Sequence, residues 1–255
     1  MFMSRWYNAL RSLVYPGLDL HLHSRAALRR YWFAGDRRVL DAGSGNGYFS
    51  WLAYRSGARV LALNIEATQV QRAQALLNNY RRADPERLRF QTFNLYDLNS
   101  LDETFDEIIC FETLEHIRDD VGVCRQFFRL LRPGGVLHLC CPHELHPRHQ
   151  AEVLDEHESG GHVRAGYTRE TYVRLLEPIG FEIDRIVGVG TPAVFWSDYL
   201  LRSIRTRTSD LVALPLLPWL LPVVRCARLD PPMPFSLYCR AVKPVADEAH
   251  SQGAK

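Results

Sequence analysis

Lysine is nearly absent from this 255-residue chain: it occurs only at Lys243 and Lys255, and arginine supplies the rest of the 31 basic residues. Set against 29 acidic residues, the formal net charge is only +2, which makes no global electrostatic case for nucleic acid. The six cysteines (Cys110, Cys124, Cys140, Cys141, Cys226 and Cys239) contain no Cys-x-x-Cys pair. Most sit in apolar runs, where free cysteine behaves as a small hydrophobe. A reduced, cytoplasmic protein without a disulfide framework or a zinc site is therefore expected. Long apolar runs are also missing. The longest, Leu211 to Val224, is too short to span a bilayer and is broken by Pro215, Pro218 and Pro222. Arg5 and Arg11 interrupt Met1 to Val14, so no secretory leader is read there.

What is present is ordinary for a globular protein: 47% hydrophobic and 24% charged residues, in a chain long enough to bury a sizeable core. Residues 1–36 read as a helical N-terminal cap whose better segment is Ser24 to Phe33. From Arg38 onward, strand and helix alternate. Strands are predicted at 38–42, 59–64, 88–94, 107–111, 136–141, 181–187 and 235–242. Helices are predicted to about Ser56 and over 67–82, 119–131 and 169–179. Such alternation implies an α/β fold: a seven-stranded, mostly parallel, Rossmann-like sheet with helices on both faces. Ligands of such a sheet bind outside the carboxyl ends of the strands. About forty residues, 191–234, separate the last two strands. A structureless loop of that length is unusual, so helices are expected at 193–206 and 210–227. Residues 247–255 read as a disordered polar tail.

The sharpest local signal is Val39-Leu40-Asp41-Ala42-Gly43-Ser44-Gly45-Asn46-Gly47-Tyr48-Phe49. An apolar strand runs into three alternating glycines, which permit a tight turn and close backbone approach to a ligand, and then into a helix N-terminus suited to a carboxylate. The dinucleotide fingerprint needs a glycine where Tyr48 stands, which opposes a dehydrogenase. Asp41 is placed to hold an ammonium group, so an amino-acid-like ligand suits the turn.

This segment resembles the first motif of class I S-adenosylmethionine-dependent methyltransferases. Further along, Phe105-Asp106-Glu107-Ile108-Ile109 resembles that family's fourth-strand segment. Phe111 to Ile117 (FETLEHI) resembles its LEH loop, and Leu131-Arg132-Pro133-Gly134-Gly135 the turn before its fifth strand. The resemblance implies the reversed last strand of that fold and S-adenosyl-L-methionine as cofactor. It places the cofactor's methionine part along Gly43, Ser44, Gly45 and Gly47, with Asp41 near its amine. The ribose hydroxyls would fall to Asn64, helped by Glu66, and the adenine to Asn94 and the Leu95 backbone, with Phe111 nearby. Asn64 and Asn94 stand where the family normally has acids, and asparagine accepts without charge assistance.

Methyl transfer asks the protein to position the acceptor and, for a hydroxyl, to take its proton. Histidine suits that task. His143 is nearest the end of strand five and is the first candidate base, with Glu144 or His146 to orient or replace it. Clustering of these groups on one loop is weak evidence of metal ligation, and no metal is expected. His116, in the LEH loop, and His162, Arg164 and Tyr167, in a loop resembling one found in bacterial small-molecule and sugar-modifying members, are candidates for binding the acceptor. Arg164 has an alternative role in a salt bridge to Glu156 or Glu158. The expected activity is methylation of a small molecule, at oxygen, in a glycan, lipid-linked sugar or secondary metabolite. A non-catalytic module that binds cofactor or partner is the alternative, and nucleic acid is not expected as partner. Residues 211–224 form either a hydrophobic lid or a peripheral membrane contact.

Overall fold

The computed structural model describes residues 15–245; the expectations for the first fourteen residues and for the tail 247–255 lie outside them. Seven strands form one sheet: β1 Arg38–Ala42, β2 Arg59–Asn64, β3 Leu88–Thr92, β4 Phe105–Phe111, β5 Leu131–Pro142, β6 Glu182–Val189 and β7 Ser236–Val242. Their order is β3-β2-β1-β4-β5-β7-β6. β7 runs antiparallel between β5 and β6, and the remaining pairings are parallel. The mostly parallel sheet with a reversed last strand is therefore the fold that forms. Strand order reverses between β1 and β4, and the crevice outside their carboxyl ends is the position at which such sheets bind ligands.

Successive strand residues point to opposite faces, so the sheet has a core on each side. On one face Leu40, Ala42, Ile108, Cys110, Leu137 and Leu139 pack against α4 (Asp120–Leu130) and α6 (Arg169–Leu176). In α4 the apolar positions Val123, Cys124, Phe127 and Leu130 recur at helical spacing, and the Asp119 carboxylate caps the helix by accepting from Gly122 N at 2.8 Å. On the other face Val39, Val60, Ala62, Ile109 and Cys140 pack against α2 (Tyr48–Arg55) and α3 (Ala67–Gln74). A third cluster joins α1 (Leu20–Arg25) to the excursion before β7. There Leu18 and Leu20 meet Val194 and Leu201 of α7 (Pro192–Arg207), Ala213 of α8 (Asp210–Ala213) and Leu217 and Val224 of α9 (Leu217–Arg225).

The departures from expectation are local. The N-terminal helix starts at Leu20 rather than Ser24 because Asp19 caps it, accepting from His21 N at 3.0 Å, and it tightens to a 3-10 turn over Ala26–Tyr31. The helix expected over 67–82 is α-helical to Gln74 and then widens into a π-helical stretch, Ala75–Tyr80. β5 begins at Leu131, which pairs with Phe105; the register slips across the Arg132–Gly135 turn before Val136 meets Glu107. Prolines divide the second half of the excursion, with a 3-10 turn at Leu214–Leu216 between α8 and α9.

The segment before β1 is tied down by a buried polar network. Glu107 of β4 pairs with Arg37, meets His138 Nε2 at 3.1 Å and accepts from Phe33 N at 2.7 Å. Burial works to raise the Glu107 carboxyl, and these partners outweigh it, holding Glu107 below its usual range.

Candidate active site

The three-glycine turn lies at the sheet's reversal point. Gly43 N and Ser44 N both donate to Leu63 O, at 3.0 and 2.8 Å, and Phe93 N donates to Asn64 O at 2.9 Å. These bonds join the ends of β1, β2 and β3 into one continuous edge. Gly43 has φ +82°, and a Cβ there would stand 2.1 Å from Thr113 Oγ1. Close approach of the loop after β4 thus requires glycine at this position. Gly47, left-handed with φ 80°, opens α2. Asp41 is buried at the end of β1 and accepts from Ser50 Oγ at 2.5 Å. Burial pushes its carboxyl up to about 6, against the pull of the Ser50 bonds. Ser44 Oγ is buried without a hydrogen-bond partner among the described residues. A buried carboxylate beside an orphaned hydroxyl and a tight glycine turn is the donor and acceptor set that an amino-acid head group needs.

The two asparagines have local roles. Asn64 Oδ1 accepts from Glu66 N at 2.7 Å, and Asn94 Oδ1 accepts from Tyr96 N at 3.1 Å, opening the turn that starts at the buried Leu95. Glu66 is exposed and accepts from Gln69 Nε2 at 3.2 Å. Phe111 packs edge-on against Phe49, ring centroids 4.7 Å apart, and belongs to the core beneath the edge. Residues ahead of α1 reach the glycine turn directly. Tyr15 OH donates to Asn46 O at 3.3 Å, and Asn46 Nδ2 donates to Pro16 O at 3.0 Å. Sequence reasoning passed over Asn46 as a site residue, since the only signal was its place among the glycines.

Beside this edge is a polar cavity of about 240 Å³, closed by the N-terminal segment on one side and the loops after β4 and β5 on the other. At its wall Arg25, only 3% exposed, lies 2.7 Å from Glu112 Oε2 and donates to Ser236 Oγ at 3.0 Å. Ser236 Oγ in turn donates to Glu112 Oε1 at 3.3 Å. Burial raises the Glu112 carboxyl, and Arg25 opposes that shift. Glu112 follows β4 with φ 49°, a left-handed conformation that is uncommon outside glycine and is held here by these partners. His149 and His162 also line the cavity. His149 Nε2 sits 3.1 Å from Phe235 O, and burial lowers its pKa to about 4. A larger cavity, about 910 Å³, runs along α2 from Tyr48, next to the glycine turn, to Arg55 and Ser56, with residues between 23 and 34 as its other wall.

A family model described as a methyltransferase domain matches residues 19–186. The chain belongs to this family. At 31% identity over 153 residues it is similar to a "Probable S-adenosylmethionine-dependent methyltransferase" of Mycolicibacterium smegmatis, covering 60% of this chain and 55% of that protein. It is 35% identical over 146 residues to the "Ubiquinone biosynthesis O-methyltransferase" of Xanthomonas oryzae pv. oryzae, covering 53% and 55%. The chain thus spans about half the length of the curated relatives it matches. Among solved structures, phosphoethanolamine N-methyltransferase 2 of Haemonchus contortus, in complex with S-adenosyl-L-methionine, superposes with a TM-score of 0.55 at 18% identity, covering 87% of this chain and 52% of that one. At that identity the likeness speaks for the fold.

Within this methyltransferase domain, several of the predicted residues lie away from the polar cavity. His143 is held through its backbone, donating N–H to Phe235 O at 3.0 Å, and its charged neighbours are Arg169, Glu144 and Glu170. Neither it nor Glu144 lines the polar cavity. Glu144 N donates to Tyr167 O. His146 opens the single turn α5 (Pro147–Gln150), accepting from Arg148 N at 3.3 Å, and lines a separate recess of about 160 Å³ with Phe195 and Trp196. That turn swings His149 to the cavity, an assignment no sequence spacing suggested. Arg164 pairs with Asp120 and donates to Ile117 O at 2.7 Å and Arg118 O at 2.9 Å. Tyr167, 3% exposed, donates to Asp120 Oδ2 at 2.7 Å. Both clamp their loop to the start of α4 and are committed there, so the salt-bridge role holds, with Asp120 as the acid instead of Glu156 or Glu158. His116 and His162 pack edge-on, ring centroids 4.7 Å apart.

Proposed function

We propose that this protein transfers the methyl group of S-adenosylmethionine to an oxygen of a small polar acceptor bound in the cavity beside Glu112. The observation that carries the reading is the junction of two features. The glycine turn approaches Thr113 so closely that only Gly43 fits, and Thr113 follows directly on Glu112 at the cavity wall. Cofactor site and acceptor site therefore share one loop. The names of the Xanthomonas relatives support oxygen as the acceptor atom.

When bound, S-adenosylmethionine supplies a methyl group already activated on a sulfonium. The chain's own tasks are holding and orientation. Asp41 would take the ammonium group, the Ser44 hydroxyl and the N–H groups of Gly45 and Asn46 the carboxylate, and Asn64 and Asn94 the ribose and adenine edges. Arg25, fixed by Glu112 and Ser236, presents a buried cation to the acceptor. His149 stays neutral near neutral pH because burial lowers its pKa to about 4. The Phe235 carbonyl takes its Nε2–H, which leaves the Nδ1 lone pair as a proton acceptor.

Calorimetric titration with S-adenosylmethionine and S-adenosylhomocysteine, with NADH as control, tests the reading. Micromolar affinity for the first two and none for NADH is expected. Absence of binding in the presence and absence of candidate acceptors would favour a non-catalytic module.

One observation favours a lipid-linked acceptor within this reading. Trp219 of α9 is 80% exposed and Trp196 of α7 63% exposed, with Tyr199 and Leu200 also exposed on α7. Among the described residues no helix is long and apolar enough to cross a membrane, so contact would be peripheral. Flotation with anionic vesicles tests it, and failure to float rejects it.

A further inference from the structure

Among the described residues, one group of three side chains has the spacing of a metal site. One ligand atom from each of Glu115, His116 and His162 lies within 4.8 Å of the other two. Each member shows a further feature that fits ligation. Glu115 is 0% exposed, and neither carboxylate oxygen has a hydrogen-bond partner. Its own backbone N–H and the Cys141 thiol lie near, but neither contact has hydrogen-bond geometry. A carboxylate buried without a partner is costly, and buried charges are found paired or coordinating a metal. His116 Nδ1 is engaged by Gly161 O at 2.9 Å, and His162 Nδ1 by Glu152 Oε2 at 3.0 Å. Metal-bound histidines have this arrangement: one ring nitrogen held by a carbonyl or carboxylate, which fixes the tautomer and leaves the other for the ion. Two independent parts of the chain supply the set, and Val163 N, donating to Glu115 O at 2.8 Å, locks them together.

We propose that Glu115, His116 and His162 bind one divalent first-row transition cation through a carboxylate oxygen and the two Nε2 atoms. Two imidazoles and a carboxylate suit zinc, manganese or ferrous iron better than magnesium or calcium. Three protein ligands leave a position open, as in sites where the metal meets a substrate. His162 also lines the polar cavity, together with Glu112. On the functional reading above, the open position would accept the acceptor's oxygen and hold it next to the cofactor, in the cavity that Arg25 and His149 also line. The expectation that no metal binds rested on the cysteine pattern and on the His143–His149 loop, and Glu115, His116 and His162 belong to neither.

The test uses the full chain without a histidine tag, stripped with chelator, and cobalt(II) and zinc(II) as probes. One equivalent of cobalt should bind with a visible d–d band that zinc abolishes. His116→Ala, His162→Ala and Glu115→Gln should each weaken binding at least about tenfold, while His157→Ala, outside the cluster, should not. X-ray absorption of the zinc-loaded wild type should show imidazole nitrogen and oxygen neighbours; this readout needs no variant to fold. Failure of the wild type to bind either ion at about 100 μM, a sulfur shell, or full binding by the double histidine variant overturns the proposal. The titration uses neither cofactor nor acceptor, so its failure leaves the cofactor titration above standing, and the reverse is equally true.

Discussion

Asp41→Asn separates the cost of the site from its use. Burial raises the Asp41 carboxyl from 3.8 to about 6. A shift of that size corresponds to about 3 kcal/mol of disfavoured ionisation. The native state binds the proton more tightly than the unfolded chain does, so the penalty is fully present above pH ~6 and fades as pH falls toward ~4. Asparagine does not ionise, and its amide oxygen still accepts from Ser50 Oγ, which now meets Asp41 at 2.5 Å. The ligand-free variant should therefore be more stable than wild type by about 2–3 kcal/mol at pH ~8, or about 5–10 °C in Tm, and the gap should close near pH ~4. Its affinity for S-adenosylmethionine should fall about 10–100-fold, since a hydrogen bond to a charged group is lost. Urea unfolding at several pH values and calorimetry on the same samples measure both effects. A variant that is destabilised at pH ~8, or that binds cofactor as tightly as wild type, would refute the assignment of Asp41 as a buried carboxylate kept for the ligand.

Glu107→Ala strands Arg37 in the core and removes the acceptor for Phe33 N, so a loss of about 3–5 kcal/mol in chemical unfolding is expected. The wild-type Glu107 carboxyl sits below its usual range, so its contribution is present above pH ~4.5 and is lost as pH falls further. Arg164→Ala should cost about 1–3 kcal/mol, because it frees Asp120 and two carbonyls; turnover per folded molecule should be unchanged, and a selective rise in acceptor KM would contradict the structural role. His149→Gln should lower kcat about 10²-fold at saturating cofactor, whereas His143→Gln should leave kcat within about twofold, and the reverse pattern would return the base to His143. Gly43→Ala meets Thr113 at 2.1 Å in a left-handed turn and should abolish cofactor binding; Thr113→Gly in the same chain should restore part of it if the clash is the cause.

The sheet, its helices and the glycine turn were legible in the sequence because they rest on local rules. Strand and helix periods differ, glycine is required where backbone turns left-handed, and an apolar strand ending in Asp41 and three glycines has few other uses. Even the reversed β7 followed from a family pattern written in contiguous motifs. The polar cavity was not legible in this way. Arg25 meets Glu112 and the far more distant Ser236, 211 residues along the chain, and no spacing announces that pairing. His143 is adjacent to a strand end, yet one turn of helix delivers His149 to the cavity in its place. His116 and His162 are brought into edge-on contact only when the loop after β5 folds back on the loop after β4. Local propensity acts on neighbours in sequence, whereas a cavity wall is assembled from side chains whose positions depend on the whole packed sheet. The sequence by itself determined the fold and singled out the glycine turn; tertiary packing decided which charged and imidazole groups line the polar cavity beside it.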